Sequence, residues 1–168
     1  VPAQAAAETA FARVIRILAE AFAFAGAAVL TAITLMCVWS IVGRWLFASP
    51  VQGDFELVQL GAAVCVAAFL PYCQLKRGNI IVDFFTTRTS PRTQAIMDAF
   101  GALLLAAVLG VVAWRTGAGA LSVKSAGETS MIRGAPVWIS YALMVPSFSL
   151  ASVVALYTAW TSAAGARR

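Results

Sequence analysis

Residues 21–43 read AFAFAGAAVLTAITLMCVWSIVG, twenty-three positions without a charge between Glu20 and Arg44. A helix rises about 1.5 Å per residue, so roughly 20 apolar residues cross a hydrocarbon core about 30 Å thick. This stretch has the length to cross a bilayer. A second follows at 57–75, LVQLGAAVCVAAFLPYCQL, nineteen uncharged positions between Glu56 and Lys76. A third is expected to start where Ser90 can cap and Pro91 can take the first helical position, and to run to about Trp114. A fourth is expected from Pro136 to about Trp160. The fold class is therefore all-α integral membrane, with four transmembrane helices at about 22–43, 56–75, 92–114 and 136–160. They form a single membrane domain over 1–168.

Composition agrees. Hydrophobic residues make up 61% of the chain, charged residues 11%, and mean hydropathy is +0.87. A soluble domain is nearer half apolar and a quarter charged. The net charge of +5 would suit nucleic acid in a soluble protein. Here the basic residues punctuate apolar blocks instead, which points to topology and anionic lipid headgroups, with no nucleic acid as partner. Histidine is absent, so there is no imidazole for haem or metal and no Ser-His or Cys-His pair. No phosphate-cradling glycine loop appears, and Asp98 and Glu128 lie on either side of a predicted span. Cys37, Cys65 and Cys73 sit in apolar runs without CxxC spacing and read as small buried hydrophobes. No catalytic group, cofactor or metal is expected.

Eight of the twelve basic residues fall on one side of the predicted spans: Arg13, Arg16, Lys76, Arg77, Arg88, Arg92, Arg167 and Arg168. The positive-inside rule makes that side cytoplasmic and places both termini there. Trp45, Trp114 and Trp138 then mark outer helix ends and Trp160 an inner one. Before the first span, Phe11, Ile15, Leu18 and Phe22 recur at helical spacing while Arg13, Arg16 and Glu20 fall mainly elsewhere. That pattern predicts an amphipathic interfacial helix over 8–21, retained rather than cleaved as a signal peptide.

The connection QLKRGNIIVDFF, 74–85, gathers the inner charge. Lys76 and Arg77 mark the exit of span two, Gly78 permits the turn, and Asp83 is a lone acid with basic partners in reach. On the other side, Arg44 and Glu56 bracket the short turn WLFASPVQGDF and are expected to form an ion pair that fixes this hairpin or reaches a neighbouring subunit. The segment from Arg115 to Ala135 is expected as the longest outward loop.

Small residues supply packing surfaces. Ala95, Ala99, Ala102, Ala106 and Gly110 form a ridge in span three, and Gly61 with Cys65 a shorter one in span two. Such ridges let helices approach closely where lipid removes the hydrophobic drive. Pro71 and Pro146 predict kinks.

Four motifs in order resemble one family. RWLF at 44–47, FELVQLG at 55–61, KRGNIIVDFF at 76–85 and GETSMIRGAPVWISYALMVP at 127–146 are similar to the DctQ-type small membrane subunits of tripartite ATP-independent periplasmic (TRAP) transporters. The resemblance covers about 20–160 and falls on Arg44, Glu56, Arg77–Gly78, Val82–Asp83, Thr129, Pro136, Trp138, Tyr141 and Pro146. Asn79 departs from it, standing where the family usually has His. The resemblance implies an accessory subunit of the bacterial inner membrane that carries no substrate itself. It implies two partners: a large multi-span permease subunit that moves by an elevator mechanism, and a periplasmic substrate-binding protein that delivers an organic acid. Two rival classes are another tripartite carboxylate transporter's small subunit and a self-sufficient four-helix exporter. The latter generally needs a membrane-embedded carboxylate, which 21–43 lacks.

Overall fold

The computed structural model describes residues 10–48, 51–76 and 91–165. Among them the only regular structure besides helix is an isolated bridge between Thr129 and Pro136. The helices are α1 (Ala10–Phe47), α2 (Asp54–Leu75), α3 (Pro91–Ala126) and α4 (Trp138–Gly165). All four are long and apolar enough to cross a membrane.

Their arrangement is an open row. α1 packs on α2, α2 on α4 and α4 on α3, giving the lateral order α1–α2–α4–α3. Only the first turns of α1 reach across to α4, where Phe11 meets Tyr157 edge to face at 6.2 Å. A row leaves most side chains facing outward: α1 buries only Ile15, Ala19, Gly26 and Ser40. The buried set is small, with Ala67 and Ala68 on α2, Ala102, Ala106 and Ala113 on α3, and Ala151, Val154 and Ala155 on α4. Lipid or another chain must cover the rest.

Each hairpin closes on a seven-residue seam. In α1–α2, Ser40 meets Asp54, Ile33 meets Gly61 and Gly26 meets Ala68. In α3–α4, Gly110 faces Ser152, Gly117 faces Val145 and Lys124 lies over Trp138. A seven-residue repeat keeps one stripe in contact along two gently supercoiled helices. Glycine matters where the backbones come closest. A Cβ on Gly26 would stand 3.0 Å from the Ala68 Cβ, and one on Gly61 would run into the Ile33 side chain. Ser152 adds a polar tie, donating its hydroxyl to the Ala106 carbonyl at 2.8 Å.

Three expectations change. Residues 10–21 do not form a separate interfacial helix. They are the opening turns of a 38-residue α1, because the alanine-rich stretch that follows contains no proline and its one nearby glycine, Gly26, is packed against α2. α3 does not stop at Trp114 but runs to Ala126, since Thr116–Val123 carries neither proline nor charge. The anticipated long loop is thereby reduced to a tight turn over 127–137, and α4 starts at Trp138 rather than Pro136. Pro71 and Pro146 both lie inside continuous helices.

Gly26→Val should weaken the α1–α2 seam by about 1–3 kcal/mol, as overpacking of a close contact does. Gly101 meets nothing within 4 Å, so Gly101→Ala should be neutral or stabilising by up to about 1 kcal/mol. Reversible unfolding in mixed micelles checks both, and equal midpoints for the two variants would refute the seam.

Candidate functional site: a carboxylate junction between the hairpins

The C-terminal end of α1, residues 51–53 before α2 and the turn 127–137 lie at the same end of the row, here termed the hairpin end. Two acids in the first turn of α2 organise it. Residues two apart on a helix sit about 200° round the axis from each other. Asp54 therefore points back at α1 while Glu56 points at the second turn.

Asp54 accepts the Ser40 hydroxyl on Oδ2 at 2.7 Å and its successor's amide, Phe55 N–H, on Oδ1 at 2.8 Å. Ser40 in turn accepts the Val51 amide at 3.3 Å, so a buried hydroxyl in α1 fastens the chain that enters α2. The Arg44 guanidinium lies 3.8 Å from Asp54 Oδ2, with 65% of its side chain exposed. An exposed pair at that range contributes little. The expected Arg44–Glu56 pair is thus replaced by Arg44–Asp54.

Glu56 instead holds the other hairpin. Its two oxygens accept the backbone amides of Ile132 at 3.0 Å and Arg133 at 3.4 Å, and the Ser130 side chain is a further hydrogen-bonding neighbour. Arg133 reaches back, donating Nε–H to the Gln52 carbonyl at 2.9 Å. Its stem lies over Gly53, which has φ +73°, and a Cβ there would stand 2.9 Å from Arg133 Cγ. Only glycine suits both that conformation and that contact.

The turn is tied internally as well. Ser130 N–H donates to the Ala135 carbonyl at 2.8 Å, and Gly134 N–H to the Ser130 carbonyl at 3.0 Å. The Ser130 hydroxyl accepts the Ala135 amide at 3.2 Å, and Thr129 bridges to Pro136. Two apolar side chains project from this tied turn: Met131 is fully exposed and Ile132 is 62% exposed.

The remaining sequence candidates fall elsewhere. Gly61 lies in the α1–α2 seam, and Ala102 and Ala106 are buried in the α3–α4 interface beside half-buried Gly110. Ala95 and Ala99 are only half-buried, so the ridge that buries is Ala102–Ala106–Ala113–Ala120. Trp138 stacks under the Lys124 ammonium at 4.7 Å, and Tyr141 lies 3.8 Å from where a Gly119 Cβ would be. Lys76 sits at the opposite end, its ammonium 5.5 Å from the Tyr72 ring centre. Arg77 and Asp83 lie outside the described residues. Sequence reasoning missed Asp54, Ser40, Ser130 and Arg133. Asp54 stood in the quoted turn, and its helical offset from Glu56 was the signal available.

A groove of about 610 Å³ on the flank of α3–α4 is lined by Gly110, Ala113, Trp114, Gly117, Val145 and Ser152 among others. Its two hydroxyls, Ser149 and Ser152, donate to carbonyls of this chain. No three His, Cys, Asp or Glu residues cluster as metal ligands among the described residues.

The model of one family, described as the DctQ component of tripartite ATP-independent periplasmic transporters, matches residues 33–165. The chain belongs to the DctQ family. It is a component of a membrane transporter of three parts, in a family of transporter components rather than enzymes. The match takes in both hairpin turns, including Arg44, Glu56, Pro136, Trp138 and Tyr141. Neither the comparison with curated proteins nor that with solved structures gives a match.

Glu56→Ala should release the 130–133 turn, raising amide hydrogen exchange at Ile132 and Arg133 by about tenfold or more. Glu56→Gln, which keeps one acceptor oxygen, should fall between. Unchanged protection in Glu56→Ala would refute the junction.

Proposed function

We propose that this DctQ component is a scaffold that carries no substrate. It packs against a large multi-span permease subunit, which holds the substrate and coupling-ion sites and moves while this chain stays fixed. A periplasmic binding protein delivers an organic acid to that permease. The open row is the observation that carries this reading. Among the described residues its helices enclose no polar path, those buried between them are small or apolar with Ser40, Gln74, Ser147 and Ser162, and both broad faces are left for lipid or a partner. A chain that moved an ion or acid alone would need ionisable groups deep in the bilayer.

The termini end faces the cytoplasm in this reading. Arg13 and Arg16 on the exposed opening turns of α1 then meet anionic headgroups, as does Lys76 at the end of α2. The hairpin end faces the periplasm of a bacterial inner membrane, and its tied turn with Met131 at the tip lies nearest the binding protein's docking surface.

A cysteine placed at Met131 in a cysteine-free chain should react with a membrane-impermeant maleimide on intact spheroplasts, and one placed at Ala164 should not. The reverse labelling would overturn the orientation. Co-expressed with the large permease subunit of its transporter, the tagged chain should retain that permease through purification. Quantitative separation of the two in mild detergent and in nanodiscs would overturn the scaffold reading.

A further inference from the structure

The outward face of α3 carries a third seam that none of the described helices occupies. α3 is the edge of the row and packs on α4 through Ala102, Ala106, Leu109 and Ala113. Nine positions on from Ala106 is half a turn round, so Arg115 points directly away from α4. Along that far side, Met97, Gly101, Leu104, Val108, Val111 and Arg115 alternate at steps of four and three. This is the same seven-residue period that closes both hairpins. Met97, Leu104, Val108 and Val111 are 44%, 54%, 50% and 56% exposed, and the space over Gly101 is open.

One member of this stripe is a guanidinium. Arg115 is exposed and makes no ion pair or hydrogen bond among the described residues. It lies nine residues before Lys124, about 13 Å down the helix from the level at which Lys124 covers Trp138. Trp138 and Trp160 stand about 33 Å apart along α4 and suit the two membrane interfaces, so Arg115 falls between them and the neighbouring Trp114 does not mark a helix end. An arginine there almost always pairs, and facing lipid it would be strongly unfavourable. No carboxylate among the described residues pairs with it, which leaves the position open to a partner chain.

We propose that the outward face of α3 receives a transmembrane helix of the large permease subunit, and that this helix places a carboxylate against Arg115. The inference rests on the scaffold reading above and specifies its contact face. The seven-residue stripe supplies the packing register, and the unpaired cation fixes the depth and the sign of the partner's charge. Methylene-rich Arg115 would snorkel if lipid covered this face, whereas a partner carboxylate lets it stay level with the stripe.

The test compares association of the labelled chain with the permease in nanodiscs for wild type, Arg115→Leu, Arg115→Glu, Arg115→Lys and the control Phe24→Ala on the exposed side of α1. Removing one partner of a buried charge pair should weaken association roughly thirtyfold or more in Arg115→Leu, and further in Arg115→Glu. Arg115→Lys should retain most of the affinity, and Phe24→Ala should match wild type. Expression and helicity of the isolated Arg115→Leu chain should equal wild type, which separates lost contact from lost folding. If the wild-type pair associates and Arg115→Leu associates equally well, the inference fails while the scaffold reading stands. If Arg115→Leu instead loses only its preference for anionic phospholipid, a lipid covers this face and the inference fails. Absence of association in wild type defeats the scaffold reading itself, and this inference with it.

Discussion

Helices in hydrocarbon gain nothing from being apolar, because the lipid around them is equally so. What holds this row together is close approach of backbones, and close approach needs absent side chains. Gly26 against Ala68, Gly61 under Ile33 and Gly110 beside Ser152 provide it, at seven-residue spacing in both hairpins. The seams fix the antiparallel pairing and its register. They also fix what the row cannot be: with each helix contacting its neighbours along a narrow stripe, the four do not close around a lumen.

Seams orient helices within a hairpin, and polar groups at the hairpin end join one hairpin to the next. Asp54 and Glu56 divide the work through their 200° offset, one facing the Ser40 hydroxyl and the other the amides of Ile132 and Arg133. Backbone amides in a turn that leaves the helical pattern must find acceptors near a membrane. A carboxylate that satisfies two of them positions the turn as well as solvating it. The consequence is a tied, outward-projecting surface at the hairpin end.

Much of the fold was legible in the sequence. Uncharged runs such as 21–43 decide helix number and type, since no other structure satisfies the backbone across lipid. The ends were less legible. Trp114 and Arg115 looked like a boundary because aromatic and basic residues mark interfaces, yet α3 continues for more than two further turns, held by Tyr141 and Trp138 of α4. Arg44 and Glu56 were rightly placed beside the turn but wrongly paired, because proximity along the chain does not reveal which side of a helix a carboxylate faces. The small-residue ridge lies in the α3–α4 contact at Ala102, Ala106 and Gly110, while its expected start at Ala95 and Ala99 is only half-buried. Gly26, Ile33 and Ser40 state the seven-residue period plainly once their partners on α2 are known. The family resemblance, carried by turn residues, survived these errors, because the turns are where this fold concentrates its specific chemistry.

Membership of the DctQ family supplies the transporter, and the open row supplies the division of labour proposed within it. The most direct test is flux. The purified chain reconstituted alone should move no organic acid across proteoliposomes under a sodium or proton gradient, while the same preparation combined with its permease and a loaded binding protein should. Gradient-driven uptake by this chain with no other protein present would contradict the account.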